Sequence, residues 1–153
     1  MVPRRFIAAA FAPFGRQKRF EGSPDVARTA QTGVWGELEA EKYLRRKHYR
    51  ILGRRVRVGG RDEIDIVARD GDVLVFVEVK TRASERYGRP LAAVDRRKRE
   101  VTSRSAVRYM RKLKDPDVLF RFDVVEVIGT PEEGVDRIRH IEEAYPLDRR
   151  YMV

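Results

Sequence analysis

Residues 62–82, DEIDIVARDGDVLVFVEVKTR, constrain the fold more than any other segment of the chain. Two runs rich in β-branched residues flank Asp70-Gly71, a pair that favours a tight turn, so the segment predicts a β-hairpin. Apolar residues occupy both faces of its second strand, which predicts a central hairpin covered on both sides. Asp65, Glu78 and Lys80 interrupt this apolar pattern, and a buried charge needs a partner or a function.

The two acids and the lysine share one face of the predicted hairpin. With Asp70-Gly71 as a two-residue turn, Asp65 lies opposite Phe76, and Asp65 and Glu78 are diagonal neighbours about 7–8 Å apart. Lys80 follows about 7 Å further along the same face. Two carboxylates at this spacing can hold one cation between them. A plain ladder of ion pairs is the structural alternative.

The rest of the chain adds helices and strands around this hairpin. Residues 32–50 predict a helix that Thr32 could cap, in which Gly36 suggests a close approach by another segment. Residues 49–58 predict a strand, 91–113 a second helix and 118–128 a fourth strand. Residues 136–150 fit an edge strand that runs into a short helix. The order α-β-β-β-α-β predicts a mixed α/β domain around one sheet.

Composition restricts the partners and the chemistry. Lys and Arg number 34 against 24 Asp and Glu, a formal net charge of +10, which favours nucleic acid as the partner over a membrane surface. No apolar run approaches the roughly 18 residues of a membrane span. The chain has no cysteine, which excludes disulfides and thiol nucleophiles and fits the cytoplasm. With two histidines far apart, any metal would be a hard, oxygen-bound ion.

The first 32 residues differ from the rest. They carry a basic run before the first acid, Glu21, and their short apolar stretch has no convincing signal-peptide cleavage site. We interpret residues 1–32 as a basic flexible tail and residues 33–153 as the folded domain. An arm that binds phosphate is the functional alternative for this tail.

Two acids beside a lysine suit the hydrolysis of phosphodiesters. Two carboxylates and a backbone carbonyl can hold Mg²⁺ or Mn²⁺ while leaving positions for water. Such an ion lowers the pKa of a bound water and neutralises charge on a phosphate. A neighbouring lysine can orient the attacking water or stabilise the charge that develops on phosphorus. This chemistry needs neither histidine nor cysteine.

Three segments together resemble a known family. GVWGELEAEKYL, DEIDIVARDGDVLVFVEVKTR and RFDVVEV occur in this order, and they resemble the uncharacterised bacterial YraN-type family over residues 33–145. Asp65 with Glu78-Val79-Lys80 is also similar to the acid–acid–x–lysine signature of restriction-endonuclease-like nucleases. The resemblance implies a restriction-endonuclease-like fold, a mixed central sheet flanked by helices, and a similarity to Holliday junction resolvases.

The resemblance also implies roles for individual residues. Asp65 and Glu78 match the two metal-binding acids, and Lys80 matches the catalytic lysine. Val79 stands between them and can lend a backbone carbonyl to the metal. Glu37 matches a helix acid that often completes such sites, although it could also be an ordinary solvated acid.

Other matched positions are less decided. Glu63 lies in the matched segment, and its role is open: it could be structural or could support the site. Asp123 is interpreted as structural, paired with Arg121 or a neighbour. Lys98 could contact phosphate or be a surface charge. The chain departs from the family at three positions: Asp62 and His48 stand where it usually has glycine, and Arg55 where it usually has asparagine.

Three functions remain open from the sequence. The first is a Mg²⁺- or Mn²⁺-dependent nuclease that cleaves DNA, with branched DNA and repair intermediates as candidate substrates. The second is a nucleic-acid-binding protein that keeps the fold without cleaving. The third is a structural or adaptor protein whose acids only form ion pairs, which the net charge disfavours. Resolvase-like relatives act as dimers, so a homodimer is also expected.

Overall fold

The described residues form two α-helices, five strands and a short 3-10 helix. The structure is a computed structural model that describes residues 24–84, 96–115 and 117–152, with side chains from residue 28 onward. In chain order the elements are α1 (Pro24–Arg46), β1 (Arg50–Arg57), β2 (Glu63–Asp70), β3 (Val73–Arg82), α2 (Arg96–Leu113), β4 (Phe120–Thr130), β5 (Gly134–Tyr145) and a short 3-10 helix (Arg149–Tyr151). Among the described residues, no helix is both long and apolar enough to cross a membrane.

The five strands form one mixed sheet in the order β1-β2-β3-β4-β5. Only β3 and β4 run parallel; the other neighbours are antiparallel. A parallel pair needs a crossover between its strands, and α2 lies in that connection. The resulting α-β-β-β-α-β-β order confirms the predicted restriction-endonuclease-like class. The last predicted segment, residues 136–150, forms an edge strand followed by a short helix, as its pattern suggested.

Each face of the sheet buries its own apolar cluster beneath one helix. Ala40 and Leu44 of α1 pack with residues of the central strands that include Val75, Val77 and Val125. On the opposite face, Ala106 and Tyr109 of α2 pack against a cluster that contains Phe76. Strand β3 is therefore covered on both sides, which confirms the central position predicted for the hairpin.

Helix α1 begins earlier than predicted. It starts at Pro24, where proline suits a first helical turn because its missing N–H would have no partner there. Thr32 lies within the helix, and its Oγ1 donates to the carbonyl of Arg28 at 2.9 Å. The predicted Thr32 cap was therefore wrong, and the predicted boundary at residue 32 falls inside α1. Residues 1–23 of the predicted tail lie outside the described residues.

The register of the hairpin also differs from the prediction. Asp70 pairs with Val73, so the two-residue loop is Gly71-Asp72 rather than Asp70-Gly71. Gly71 has a φ of +58°, a left-handed conformation that glycine adopts without steric cost. Each β2 residue therefore faces a β3 residue two positions later than predicted. Because side chains alternate with a period of two, this shift leaves the acids and the lysine on the predicted face.

Asp123 is structural, as predicted, at the centre of a buried polar network. Arg121 Nε donates to Asp123 Oδ1 at 3.0 Å, and the backbone N–H of Glu143 donates to the same oxygen at 3.0 Å. His140 Nε2 lies 2.8 Å from Oδ2. Burial alone would raise the pKa of Asp123, but these three hydrogen bonds outweigh it and hold the pKa below its ordinary value. The network joins β4 to β5.

Candidate active site

The predicted acids lie where the sheet opens. Pairing between β2 and β3 ends at Ile66 and Val77, although β2 still pairs with β1 and β3 with β4 beyond that point. If the register continued by one more pair, Asp65 would face Glu78. Instead, the backbone N–H of Val79 donates to Asp65 Oδ2 at 2.8 Å. A side-chain carboxylate therefore holds the backbone of β3 at the point where strand pairing stops.

Glu78 is a buried acid between two lysines. Its side chain is 4% exposed, and Lys80 Nζ and Lys98 Nζ each lie 3.4 Å from one of its carboxylate oxygens. Burial, with a further contribution from the charge of Asp65, raises the pKa of Glu78 to about 7, against the opposing effect of the two lysines. A carboxylate that costs this much to ionise is a candidate functional group.

Lys98 lies at the site. The sequence left open whether this residue contacts phosphate or is a surface charge. Burial would lower its pKa, but the charges of Glu78 and Asp65 outweigh that effect and raise it. A helical signal in the sequence could have found this residue, because Lys98 precedes Ala106 by eight positions and Tyr109 by eleven, a spacing that places it on the apolar side of the helix. Lys98 thus adds a second cation to the predicted acid–acid–lysine set.

Glu37 reaches the same region from α1 but is held by an arginine. Arg55 Nε lies 2.7 Å from Glu37 Oε2, and Arg55 Nη2 lies 3.2 Å from Oε1, a bidentate pair. Burial raises the pKa of Glu37, with smaller contributions from the charges of Asp65 and Glu63, while Arg55 opposes the rise. Glu37 is therefore electrostatically coupled to Asp65, and its closest partner is Arg55.

Gly36 allows α1 to approach the site. A Cβ atom at position 36 would lie 1.9 Å from Thr81 Oγ1, a distance that no side chain tolerates. This contact confirms the close approach that a glycine inside the predicted helix suggested. Because Glu37 follows Gly36, the same contact brings the acid of α1 towards the end of β3.

Two of the departures from the resembled family fall at positions with a left-handed backbone. His48 and Arg55 have φ values of +67° and +50°, in the region that favours glycine and asparagine, the residues that the resemblance leads us to expect there. Asp62 accepts a 2.8 Å hydrogen bond from Arg104 Nε, so its charge is paired with α2. Glu63 forms an ion pair with the exposed Arg57 at 2.9 Å.

The acids Glu37, Asp65 and Glu78 line a cavity of about 500 Å³, together with Lys80 and Lys98. Its walls come from α1, the ends of β2 and β3, and α2. The lining residues are Arg28, Thr29, Thr32, Gly33, Glu37, Asp65, Glu78, Val79, Lys80, Thr81 and Lys98. All four residues proposed as catalytic from the sequence therefore face one cavity.

The donor set fits a hard divalent ion held by few protein ligands. Asp65 and Glu78 supply carboxylate oxygens, and their mutual repulsion is of the kind that a bound cation relieves. Across residues 24–84, 96–115 and 117–152, no three acidic or histidine side chains are grouped closely enough to share a metal. Mg²⁺ commonly binds through one or two carboxylates and keeps several waters. Two acids with a backbone carbonyl suffice for such a site.

Fold and site together define a restriction-endonuclease-like α/β domain with two acids and two lysines at an opening in its sheet. Residues 36–127 match the model of the family described as "Uncharacterised protein family UPF0102". The chain belongs to this family, which confirms the YraN-type resemblance found in its sequence.

Similar proteins of the same family span most of the chain. A UPF0102 protein from Geobacter sulfurreducens is 46% identical over 116 residues, 75% of this chain and 88% of the relative. One from Chlorobaculum parvum is 45% identical over 117 residues, 74% and 90% of the two chains. One from Geobacter metallireducens is 44% identical over 115 residues, 75% and 92% of the two chains.

Proposed function

We propose that this protein is a metal-dependent nuclease that hydrolyses phosphodiester bonds in DNA, with branched DNA and repair intermediates as candidate substrates. The observation that carries the proposal is the convergence of Asp65 and Glu78 at the open end of the β2–β3 pairing, next to Lys80 and Lys98. The formal net charge of +10 supports a polyanionic substrate. A homodimer belongs to the same proposal, and sedimentation velocity of the full chain tests it.

Each residue of the site has a distinct role in this proposal. Asp65, Glu78 and the Val79 carbonyl would hold Mg²⁺ or Mn²⁺, which supplies a more acidic water and neutralises phosphate charge when bound. The Val79 N–H fixes one oxygen of Asp65, so that carboxylate is oriented in advance. Lys80 and Lys98 hold the Glu78 carboxylate from two elements.

The lysines also act on the substrate in this proposal. Lys80 lies beside the acids at the cavity wall, with its side chain 30% exposed, so its ammonium can orient the attacking water. Both ammonium groups can stabilise the negative charge that develops on the phosphate. Glu37 would act from α1 on the metal or on its water. Its carboxylate must leave Arg55 to do so.

The bidentate Arg55–Glu37 pair favours a second candidate, a nucleic-acid-binding protein that does not cleave. If Arg55 keeps Glu37 paired when DNA binds, Glu37 cannot act on the metal or its water, and the site binds DNA without cleaving it. Arg55→Asn, which introduces the residue usual in the family, would then increase cleavage. The same substitution decreases cleavage if Arg55 orients Glu37 for the reaction.

A cleavage assay separates the two candidates. Purified full-length protein is incubated with flap, junction, single-stranded and duplex DNA, with and without Mg²⁺ or Mn²⁺. Glu78→Gln and Lys80→Ala should each lower cleavage by about 100-fold or more, the size expected for a preorganised electrostatic group. Glu39→Gln and Lys42→Ala are matched controls, because these two residues form an ion pair elsewhere on α1.

The outcomes assign the activity. Cleavage that is equal in wild type, Glu78→Gln and Lys80→Ala belongs to another site or to a contaminant, and the proposed site is then wrong. Tight binding by wild type without cleavage of any substrate, with either metal, supports the non-cleaving protein instead.

A further inference from the structure

A charged patch continues from the site across β4 to β5. Lys80 of β3 pairs with Glu126 of β4, which pairs with Arg139 of β5. Directly paired residues of neighbouring strands point to the same face of a sheet. These three side chains therefore form a row, and the row lies on the face of Glu78, two residues further along β3.

A second row follows two residues later on the same face. Arg82 of β3 pairs with Ile128 of β4, which pairs with Arg137 of β5. Of the six residues in the two rows, four are basic and one is acidic. We refer to Lys80, Arg82, Arg137 and Arg139 together with Glu126 as the basic patch.

The buried carboxylate of Glu126 pairs with two of the arginines. Its side chain is 1% exposed, and Arg82 Nε lies 2.9 Å from Oε1 while Arg139 Nη1 lies 3.4 Å from Oε2. One buried carboxylate thus holds two guanidinium groups whose side chains are 17% and 33% exposed. The pairing with Glu126 therefore orients both arginines on this face of the sheet.

We propose that the basic patch binds the phosphodiester backbone of the nucleic acid beside the cavity, and thereby directs one strand from the acids of β2 and β3 across β4 towards β5. This proposal rests on the proposed function, because it takes nucleic acid as the partner of the site. It adds Arg82, Arg137 and Arg139 to the residues that contact substrate.

The dimensions of the patch suit this partner. Neighbouring strands lie about 5 Å apart, so the first row extends about 10 Å from β3 to β5, and the second row lies about 7 Å away. Each strand of a duplex carries one phosphate per roughly 3.4 Å of its axis, so the patch can contact more than one phosphate. Guanidinium groups bind phosphate through paired N–H donors, and those of Arg82 and Arg139 are already oriented by Glu126.

The salt dependence of DNA binding tests the proposal. Affinity of full-length protein for labelled duplex and junction DNA is measured by fluorescence anisotropy at several salt concentrations, with EDTA to prevent cleavage. Arg139→Gln and Arg137→Gln should each reduce the slope of log affinity against log salt by about 0.9, the value for one lost phosphate contact. Arg139→Lys, which keeps the charge, should retain the slope.

Arg45→Gln is the matched control. Arg45 is also paired with a glutamate, Glu41, at 2.8 Å, but it lies in the last turn of α1. Its loss should leave the slope unchanged. Arg137 is exposed, so its variant keeps the test decisive even if Arg139→Gln lowers stability.

The outcomes distinguish this proposal from the function on which it rests. Wild-type binding with the same slope in the Arg137, Arg139 and Arg45 variants overturns the basic patch alone. Absence of nucleic-acid binding by wild type overturns the patch and the proposed function together. Reduced slopes in a protein that does not cleave support the patch and leave the non-cleaving alternative as the function.

Discussion

Glu78→Gln should stabilise the metal-free protein at alkaline pH, although it removes a residue central to the proposed reaction. The reason is that keeping the buried Glu78 carboxylate ionised in the folded protein costs free energy. Burial and the nearby charge of Asp65 raise the pKa of Glu78 from an ordinary 4.5 to about 7. Folding therefore disfavours the ionised carboxylate, and glutamine has nearly the same shape without the charge.

The pKa shift gives the size and the pH range of the effect. Between pH 4.5 and 7 the folded state binds more protons at Glu78 than the unfolded state, so stability falls as pH rises through this range. At about 1.4 kcal/mol per pKa unit, the full cost above pH 7 is about 3 kcal/mol. Lys80 and Lys98 lose a charged partner in the variant, but both are about one-third exposed and can be solvated. The expected net gain is therefore about 1–3 kcal/mol at pH 8 and less than about 1 kcal/mol at pH 5.

Urea unfolding in EDTA, at pH 5 and at pH 8, measures this gain as the difference in free energy of unfolding between variant and wild type. Glu39→Gln, which removes an acid paired with Lys42 on α1, is the control for the loss of one negative charge. Addition of Mg²⁺ at pH 8 should then stabilise wild type and leave Glu78→Gln nearly unchanged. A variant that is no more stable than wild type at pH 8, or equally more stable at both pH values, refutes the reasoning.

Three further predictions concern the metal, the helix contact and the buried network. Asp65→Asn should remove most of the rise in melting temperature that Mg²⁺ or Mn²⁺ causes; an equal rise in both proteins contradicts the site. Gly36→Ala should destabilise by about 1–3 kcal/mol in urea unfolding, because its Cβ would collide with Thr81, and Thr81→Ala should restore part of the loss. Asp123→Asn should cost about 3–5 kcal/mol, since it removes the charge of a fully buried carboxylate that pairs with Arg121; a loss under 1 kcal/mol contradicts this.

The sequence by itself determined the elements and the face on which the site lies. Alternation with a period of two is a local property, so Asp65, Glu78 and Lys80 could be placed on one face from their numbers alone. That placement held although the predicted turn was one residue too early, because the register then moved by two positions and an even shift preserves the face. An odd shift would have exchanged the two faces.

Tertiary structure decided which charges meet. Glu37 pairs with Arg55, 18 residues away, and Glu78 with Lys98, 20 residues away, through contacts between a strand and a helix that no local periodicity encodes. In the sequence, Glu126 looks like any other residue of a strand. In the structure it is buried and pairs with Arg82 and Arg139 on the two neighbouring strands. The order of strands in the sheet set those contacts, because cross-strand neighbours are fixed by long-range pairing and by helix docking rather than by spacing along the chain.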